Sequence, residues 1–197
     1  AIRFAVAHII DGWGEYLGAR FGADLSCPGQ LPVIPLGVDT ARMATVTGEA
    51  KRQSQRRALA LSDNEIAILY VGRLNYVAKA NPLALFIAAE ETAKRSSRPV
   101  RVLLNGYFND DGNEDAFMEA ANAILDVAKL QIIRHGDEDF PDGVWAAADI
   151  FCSLSDNIQE SFGLTPIEAM AAELPVDSRR HRRLLYPDNH GAARHRR

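Results

Sequence analysis

Two carboxylates, Glu160 and Glu168, stand eight positions apart in the stretch SDNIQESFGLTPIEAMAAELPV that occupies residues 155–176. Between them a Phe-Gly-Leu-Thr-Pro turn leads into an Ala- and Met-rich pattern with helical spacing. A loop-end carboxylate, glycine amides and a new helix N-terminus suit a ligand that carries hydroxyls and phosphates. The reason is that the first N–H groups of a helix lack intrahelical partners and sit at the positive end of its dipole. A nucleotide sugar presents that combination of groups. A second set follows a different apolar run: Gly72-Arg73-Leu74 comes directly after EIAILYV, and Lys79 lies six residues beyond Arg73. Arginine offers a planar fork to phosphate oxygens and lysine adds a point charge. Together they could stabilise a departing diphosphate without a metal ion, acting where negative charge develops.

Each feature has a plainer reading. Thr165-Pro166-Ile167-Glu168 has capping-box spacing, with Thr165 at the N-cap, Pro166 at N1 and Glu168 at N3, so Glu168 could simply close a helix start. Glu160 could be an exposed loop carboxylate, and Arg73 with Lys79 solvated cations near a strand end. His135-Gly136 reads as a turn after a strand or as a ligand position. Asp110, Asp111 and Asp115 are spaced too irregularly for an EF-hand, and no metal site is expected. Cys27 and Cys152 are far apart with no metal-type spacing. Cys152, inside the apolar run DIFCSL, is expected to be a buried strand residue in a reducing, cytoplasmic setting.

The elements that must position these groups alternate. Strands are expected at Pro32–Gly37, Glu65–Val71, Val100–Leu104, Leu130–Arg134 and Asp149–Leu154. Helices are expected over Thr47–Leu61, Pro82–Lys94, Glu114–Ala128, Asp142–Ala148 and Leu164–Ala172, with an Asn/Asp/Gly-rich loop at Asn105–Asn113. Such alternation implies βαβ units and a Rossmann-like parallel sheet flanked by helices. Ligands of these sheets gather beyond the carboxyl ends of the strands, where the residues after Val71 and after Leu154 would lie. No Gly-x-Gly-x-x-Gly follows any strand, which argues against a dinucleotide oxidoreductase.

Length, at 197 residues, suits one domain or one and a half, and 47% apolar with 24% charged residues is ordinary for a globular chain. The first residues lack a basic region and a cleavage site of the signal-peptide kind, and they begin without Met, as though mid-domain. The net charge of −4 hides an asymmetry: residues 177–197 hold seven Arg against two Asp, leaving about −9 on the first 176. This tail admits three readings: a basic arm for nucleic acid or anionic lipid, a disordered end, or a segment translated out of frame. The abruptness of the break after Pro175-Val176 favours the last. Because the body is acidic and lacks interleaved basic and aromatic residues, a nucleic-acid partner ranks last.

Taken together, IPLGVD (34–39), YVGRL (70–74) with Lys79, and SLSDNIQESFGLTPIEAMAAELPV (153–176) resemble the retaining glycosyltransferases of family 4, or group 1. Those enzymes have the GT-B architecture, two Rossmann-like domains with the active site between them. The resemblance implies a donor-binding domain at 39–176, a remnant of the acceptor domain and linker at 1–38, and a basic tail at 177–197. It implies that Arg73 and Lys79 hold the donor diphosphate, and that Glu160 faces the donor sugar. Gly72, the loop Ser161, Phe162, Gly163 and Leu164, and Glu168 at the ribose hydroxyls complete the donor site. The implied reaction moves a sugar from a nucleoside diphosphate to an acceptor hydroxyl (glycan, lipid or small molecule) with retention, without metal or cofactor. Peripheral membrane contact would belong to a longer parent. Two departures stand out: Glu173 occupies a helix C-cap position where the family has Gly, and the tail replaces the expected strand and closing helices. The expectation is a truncated enzyme with little or no activity by itself. The alternative is a non-catalytic nucleotide-sugar binding module that needs a partner domain.

Overall fold

Short runs of Ile, Val, Leu and Ala form five strands: β1 (Ile66–Val71), β2 (Val100–Gly106), β3 (Lys129–Arg134), β4 (Ile150–Ser153) and β5 (Val176–Ser178). The computed structural model describes residues 2–24, 36–75, 81–108, 110–134, 143–154 and 163–178. The strands form one sheet in the order β3-β2-β1-β4-β5, and every pair is parallel. Sheets of this kind are covered on both faces, which is why the strands read as nearly continuous apolar runs.

Alternation along β1 divides the core. Ile68 and Tyr70 face one cluster with Phe86 and Ala89 of α4 (Leu83–Arg95) and Phe117 of α5 (Asp111–Ile124). Ala67 and Leu69 face the other, with Met43 of α2 (Thr40–Val46), Trp145 of α6 (Gly143–Ala147) and Ala169 of α7 (Leu164–Ala171). The helix α3 (Glu49–Ala58) packs against α6. Burying side chains such as Phe86, Phe117 and Phe151 contributes roughly 2–3 kcal/mol each.

The N-terminal rim of the sheet is locked by charge. Asp149, just before β4, accepts from Arg52 Nη2 at 2.6 Å, Arg56 Nη1 at 3.2 Å and the Ala67 amide at 2.8 Å. Arg56 also donates to the carbonyls of Ala147, Ser62 and Glu65. Beside it, Arg101 bonds both oxygens of Glu65 and Oε1 of Gln131. Glu90 on α4 accepts from the amides of Asp126, Val127 and Ala128, capping the loop that enters β3.

Several expected boundaries move. The helix expected over Thr47–Leu61 is α3 alone, cut off from α2 by Gly48 at φ 101°. The helix α2 was not expected; the Asp39 side chain starts it by accepting from the Arg42 amide. The loop expected at Asn105–Asn113 shrinks, because β2 runs to Gly106 and α5 begins at Asp111. Asp110 is the reason: its carboxylate accepts from the Asn113 amide and side chain, so the acidic cluster starts a helix. At the other end α5 stops at Ile124, short of Ala128. Asp177 and Ser178, beyond the composition break, pair with β4 as part of β5. In the strand expected at Pro32–Gly37, residues 32–35 lie outside the described residues, and Leu36 and Gly37 are not in a strand.

Contacts divide the chain into a unit of residues 38–180, which holds the sheet, and a unit of 1–37 with 181–197. Within the second unit, α1 (Ile2–Phe21) exposes Ile9, Trp13 and Tyr16, with Trp13 and Tyr16 packed edge to face at 6.0 Å. Among the described residues no helix is long and apolar enough to cross a membrane.

Candidate functional site

The order β3-β2-β1-β4-β5 reverses direction between β1 and β4. Crossovers leave to opposite sides of the sheet there, opening a crevice beyond the strands' carboxyl ends. The two sequence segments singled out for chemistry follow those two neighbouring strands, Gly72-Arg73 after β1 and Gly163-Leu164 after β4.

Gly72 sits at φ 154°, a conformation that glycine alone adopts without strain, and its amide donates to the Asn105 carbonyl at 3.0 Å. Two residues on, the Leu74 amide donates to the Tyr107 carbonyl at 2.9 Å, and Leu74 bridges to Phe108. Leu74 is fully buried, and Phe108 stands edge to face with Phe117 at 5.4 Å. The intervening Arg73 is exposed. The chain beyond β1 is therefore stitched to the chain beyond β2, with Arg73 projecting between the stitches. These partners fall in the stretch read as loop.

On the β4 side, Gly163 at φ 58° is the N-cap of α7, and half-buried Leu164 is its first residue. The capping-box reading of this segment is thereby corrected. Thr165 is the second helical residue, Pro166 the third and Glu168 the fifth. A left-handed glycine starts the helix two residues earlier than Thr165 would. Pro166 is tolerated because the third amide of a helix has no intrahelical partner to lose. Glu168 therefore stands in the second turn, half-buried, two positions past the N3 place of a capping box. Lys79, Glu160, Ser161, Phe162 and the His135-Gly136 pair lie outside the described residues, as does Cys27.

At the far end of α7, Glu173 lies at φ 62°, the left-handed conformation its position demands. Its amide donates to the Met170 carbonyl and that of Leu174 to Ala169, the bond pattern of a Schellman cap. Cys152 is a buried strand residue, as expected, and burial, with Asp177 beside it, pushes its thiol up to about 12.

A parallel sheet with helices on both faces and a strand order that reverses beside β1 defines a Rossmann-like class of domain. Residues 51–181 match the family of glycosyl transferases group 1, and the chain belongs to it. It is 30% identical over 164 residues to the D-inositol 3-phosphate glycosyltransferase of Rhodococcus opacus, covering 82% of this chain and 34% of that one. The enzyme of the same name from Gordonia bronchialis is 32% identical over 155 residues, covering 71% of this chain and 32% of its own. The chain thus spans about a third of the length of these curated relatives. Among solved structures, the lipopolysaccharide-biosynthesis glycosyltransferase WaaG superposes with a TM-score of 0.60 at 16% identity, over 80% of this chain and 40% of that one. The C-terminal domain of the group 1 glycosyl transferase LpcC from Francisella tularensis gives 0.54 at 21% identity, over 72% and 70%. Anabaena HepE in complex with UDP and glucose gives 0.53 at 21% identity, over 75% and 37%. These likenesses establish the fold, a GT-B type Rossmann-like half.

Proposed function

We propose that this domain binds the donor of a sugar transfer, a nucleoside-diphosphate sugar, in the crevice between the ends of β1 and β4. The observation that supports the reading is topological: an exposed arginine follows β1, and a glycine-started helix is the next described element after β4, the strand paired parallel to it. Arg73, with Lys79, holds the diphosphate and takes up charge as the leaving group departs. The Gly72 backbone and the segment Ser161, Phe162, Gly163 and Leu164 close on sugar and phosphate. Glu168 receives the ribose hydroxyls, and Glu160 faces the donor sugar. The reaction is transfer to an acceptor hydroxyl with retention of configuration, without metal or cofactor. The similarity of ESFGLTPIE to the retaining family supports that stereochemistry. UDP is the first donor nucleotide to try, since the HepE structure contains it.

Transfer also requires an oriented acceptor, because catalysis depends on holding both reactants in reacting geometry. This polypeptide spans about a third of its relatives' length, which favours the second reading, donor binding without turnover, for the 197-residue chain assayed alone. The test is titration of the chain with UDP-, GDP- and ADP-sugars, followed by a release assay. Binding with no nucleotide released above blank is expected. Turnover would overturn the claim of inactivity, and no binding to any of the three would overturn the donor site.

A further inference from the structure

A side-chain carbon built on Gly106 would lie 1.9 Å from the carbonyl oxygen of Gly72, 3.0 Å from its carbonyl carbon and 3.2 Å from Cγ of Leu74. The first contact is with backbone, so no rotamer change relieves it. We propose that Gly106 is a positioning residue for Arg73: its bare Cα lets the end of β2 close on the Gly72–Leu74 strap and fix where Arg73 leaves the rim. The proposal deepens the donor-site reading and rests on Arg73 meeting the diphosphate there.

The physical case has three parts. First, Gly106 has no left-handed φ, so backbone freedom is not why glycine stands there. The requirement is space alone. Second, the strap is held on either side of Gly106, from the Asn105 carbonyl to the Gly72 amide and from the Tyr107 carbonyl to the Leu74 amide. A methyl group at 106 would push between those two bonds and displace the carbonyl of the residue directly before Arg73. Third, Leu74 is fully buried against the cluster holding Phe117, so the strap cannot yield at its far end. The movement would fall on Arg73, the one exposed residue between the anchors. A forked donor tolerates such misplacement poorly, since a shift of about 1 Å in a positioned group can cost on the order of a hundredfold.

The experiment is a double-mutant cycle on the 197-residue chain, with UDP, GDP, ADP and inorganic pyrophosphate as titrants. Gly106→Ala should weaken whichever diphosphate binds by about tenfold or more, as expected when a charge-assisted fork is displaced. In an Arg73→Ala background, Gly106→Ala should change affinity by less than about twofold, because the group it positions is gone. Gly37→Ala, at a glycine with nothing within 4 Å of an added carbon, serves as the neutral control. Equal losses in both backgrounds, or no loss in either, would overturn the proposal. Amide hydrogen exchange on the unmutated chain decides the matter if Gly106→Ala does not fold. Slow exchange at Gly72 and Leu74 is expected, and exchange at the rate of an open chain at both would overturn it. Should the unmutated chain bind none of the four titrants, the donor-site reading fails first, and the role of Gly106 toward Arg73 falls with it. Binding with additive losses leaves that reading intact and rejects only Gly106.

Discussion

Arginines stand at both rims of the sheet, in opposite circumstances. At the N-terminal rim Arg56, with 5% of its side chain exposed, is spent on three carbonyls and a carboxylate, and Arg52 and Arg101 are tied down nearby. At the C-terminal rim Arg73 is exposed, and it is flanked by backbone that is fixed by hydrogen bonds on each side. One rim uses charge to bind elements far apart in sequence. The other immobilises backbone and leaves the charge exposed. The difference teaches that residue type alone does not decide a cation's role. Arg52 and Arg56 reach the rim from α3 and meet carbonyls and Asp149 there, whereas Arg73 stands exposed in the chain just after β1.

The sharpest way to break this comparison is to remove charge at the locked rim. Asp149→Ala would leave Arg56 buried with its carboxylate gone, and stability should fall by about 3 kcal/mol. Urea unfolding would show it, and a drop below about 1 kcal/mol would mean the rim network is ornamental. Arg73→Ala is the counterpart. Its unfolding midpoint should stay within about 0.5 kcal/mol of the parent chain while diphosphate affinity falls about tenfold. A stability loss like that of Asp149→Ala would erase the distinction between the rims.

Smaller effects refine the picture. Glu173 and Ala60 both occupy left-handed cap positions at φ 62° and 52°. Glu173→Gly should therefore stabilise the chain by about 1 kcal/mol, read as a rise in melting temperature with donor affinity unchanged. A fall in melting temperature would show that the Glu173 side chain contributes something beyond its backbone. Glu90 gives the pH dependence. The amide of Ala128, with those of Asp126 and Val127 and the Lys94 ammonium, holds its carboxyl below the usual 4.5 despite burial. The carboxylate therefore favours the folded chain. Its contribution is complete above the unfolded value of 4.5 and is lost as pH falls through the lower folded value. Urea midpoints of the parent and Glu90→Gln chains measured from pH 7 downward should converge below 4.5. Parallel curves would remove Glu90 from the acid side of the profile.

Much of the fold was written locally. Parallel strands announce themselves as apolar runs, so β1 and β4, and even the half-buried edge strand β3, fall where EIAILYV, DIFCSL and LQIIR suggest. What misled was polar composition near caps. Asp110 and Asp39 look like loop residues until their carboxylates are seen starting α5 and α2. The same ambiguity produced the capping-box reading of Glu168, because Thr165 and Gly163 are both adequate helix starts and only the backbone angle at Gly163 separates them. Around the candidate site, what was legible is local backbone: a glycine, Gly72, directly after the apolar run of β1, and a helix beginning at Leu164. Asp149 and Gly106 were not legible. Asp149 has its partners 82 to 97 positions away, and Gly106 meets its neighbour across a strand pair.

The pairing of β1 with β4 has one further consequence, in the order of folding. β1 pairs with β2 from Ile66 and Val100 onward, a short return through α4, whereas its partners in β4, Ile150 and Phe151, lie far along the chain from Ile68 and Leu69. Closing the longer loop costs more chain entropy before any contact rewards it, so long-range pairings tend to form late. The β1-β2-β3 layer with α4 and α5 is then expected to assemble first. Only the last strand docking turns its edge into a crevice. A chain caught before that step would carry the backbone around Arg73 already bonded to β2, on a sheet whose switch point has not yet formed.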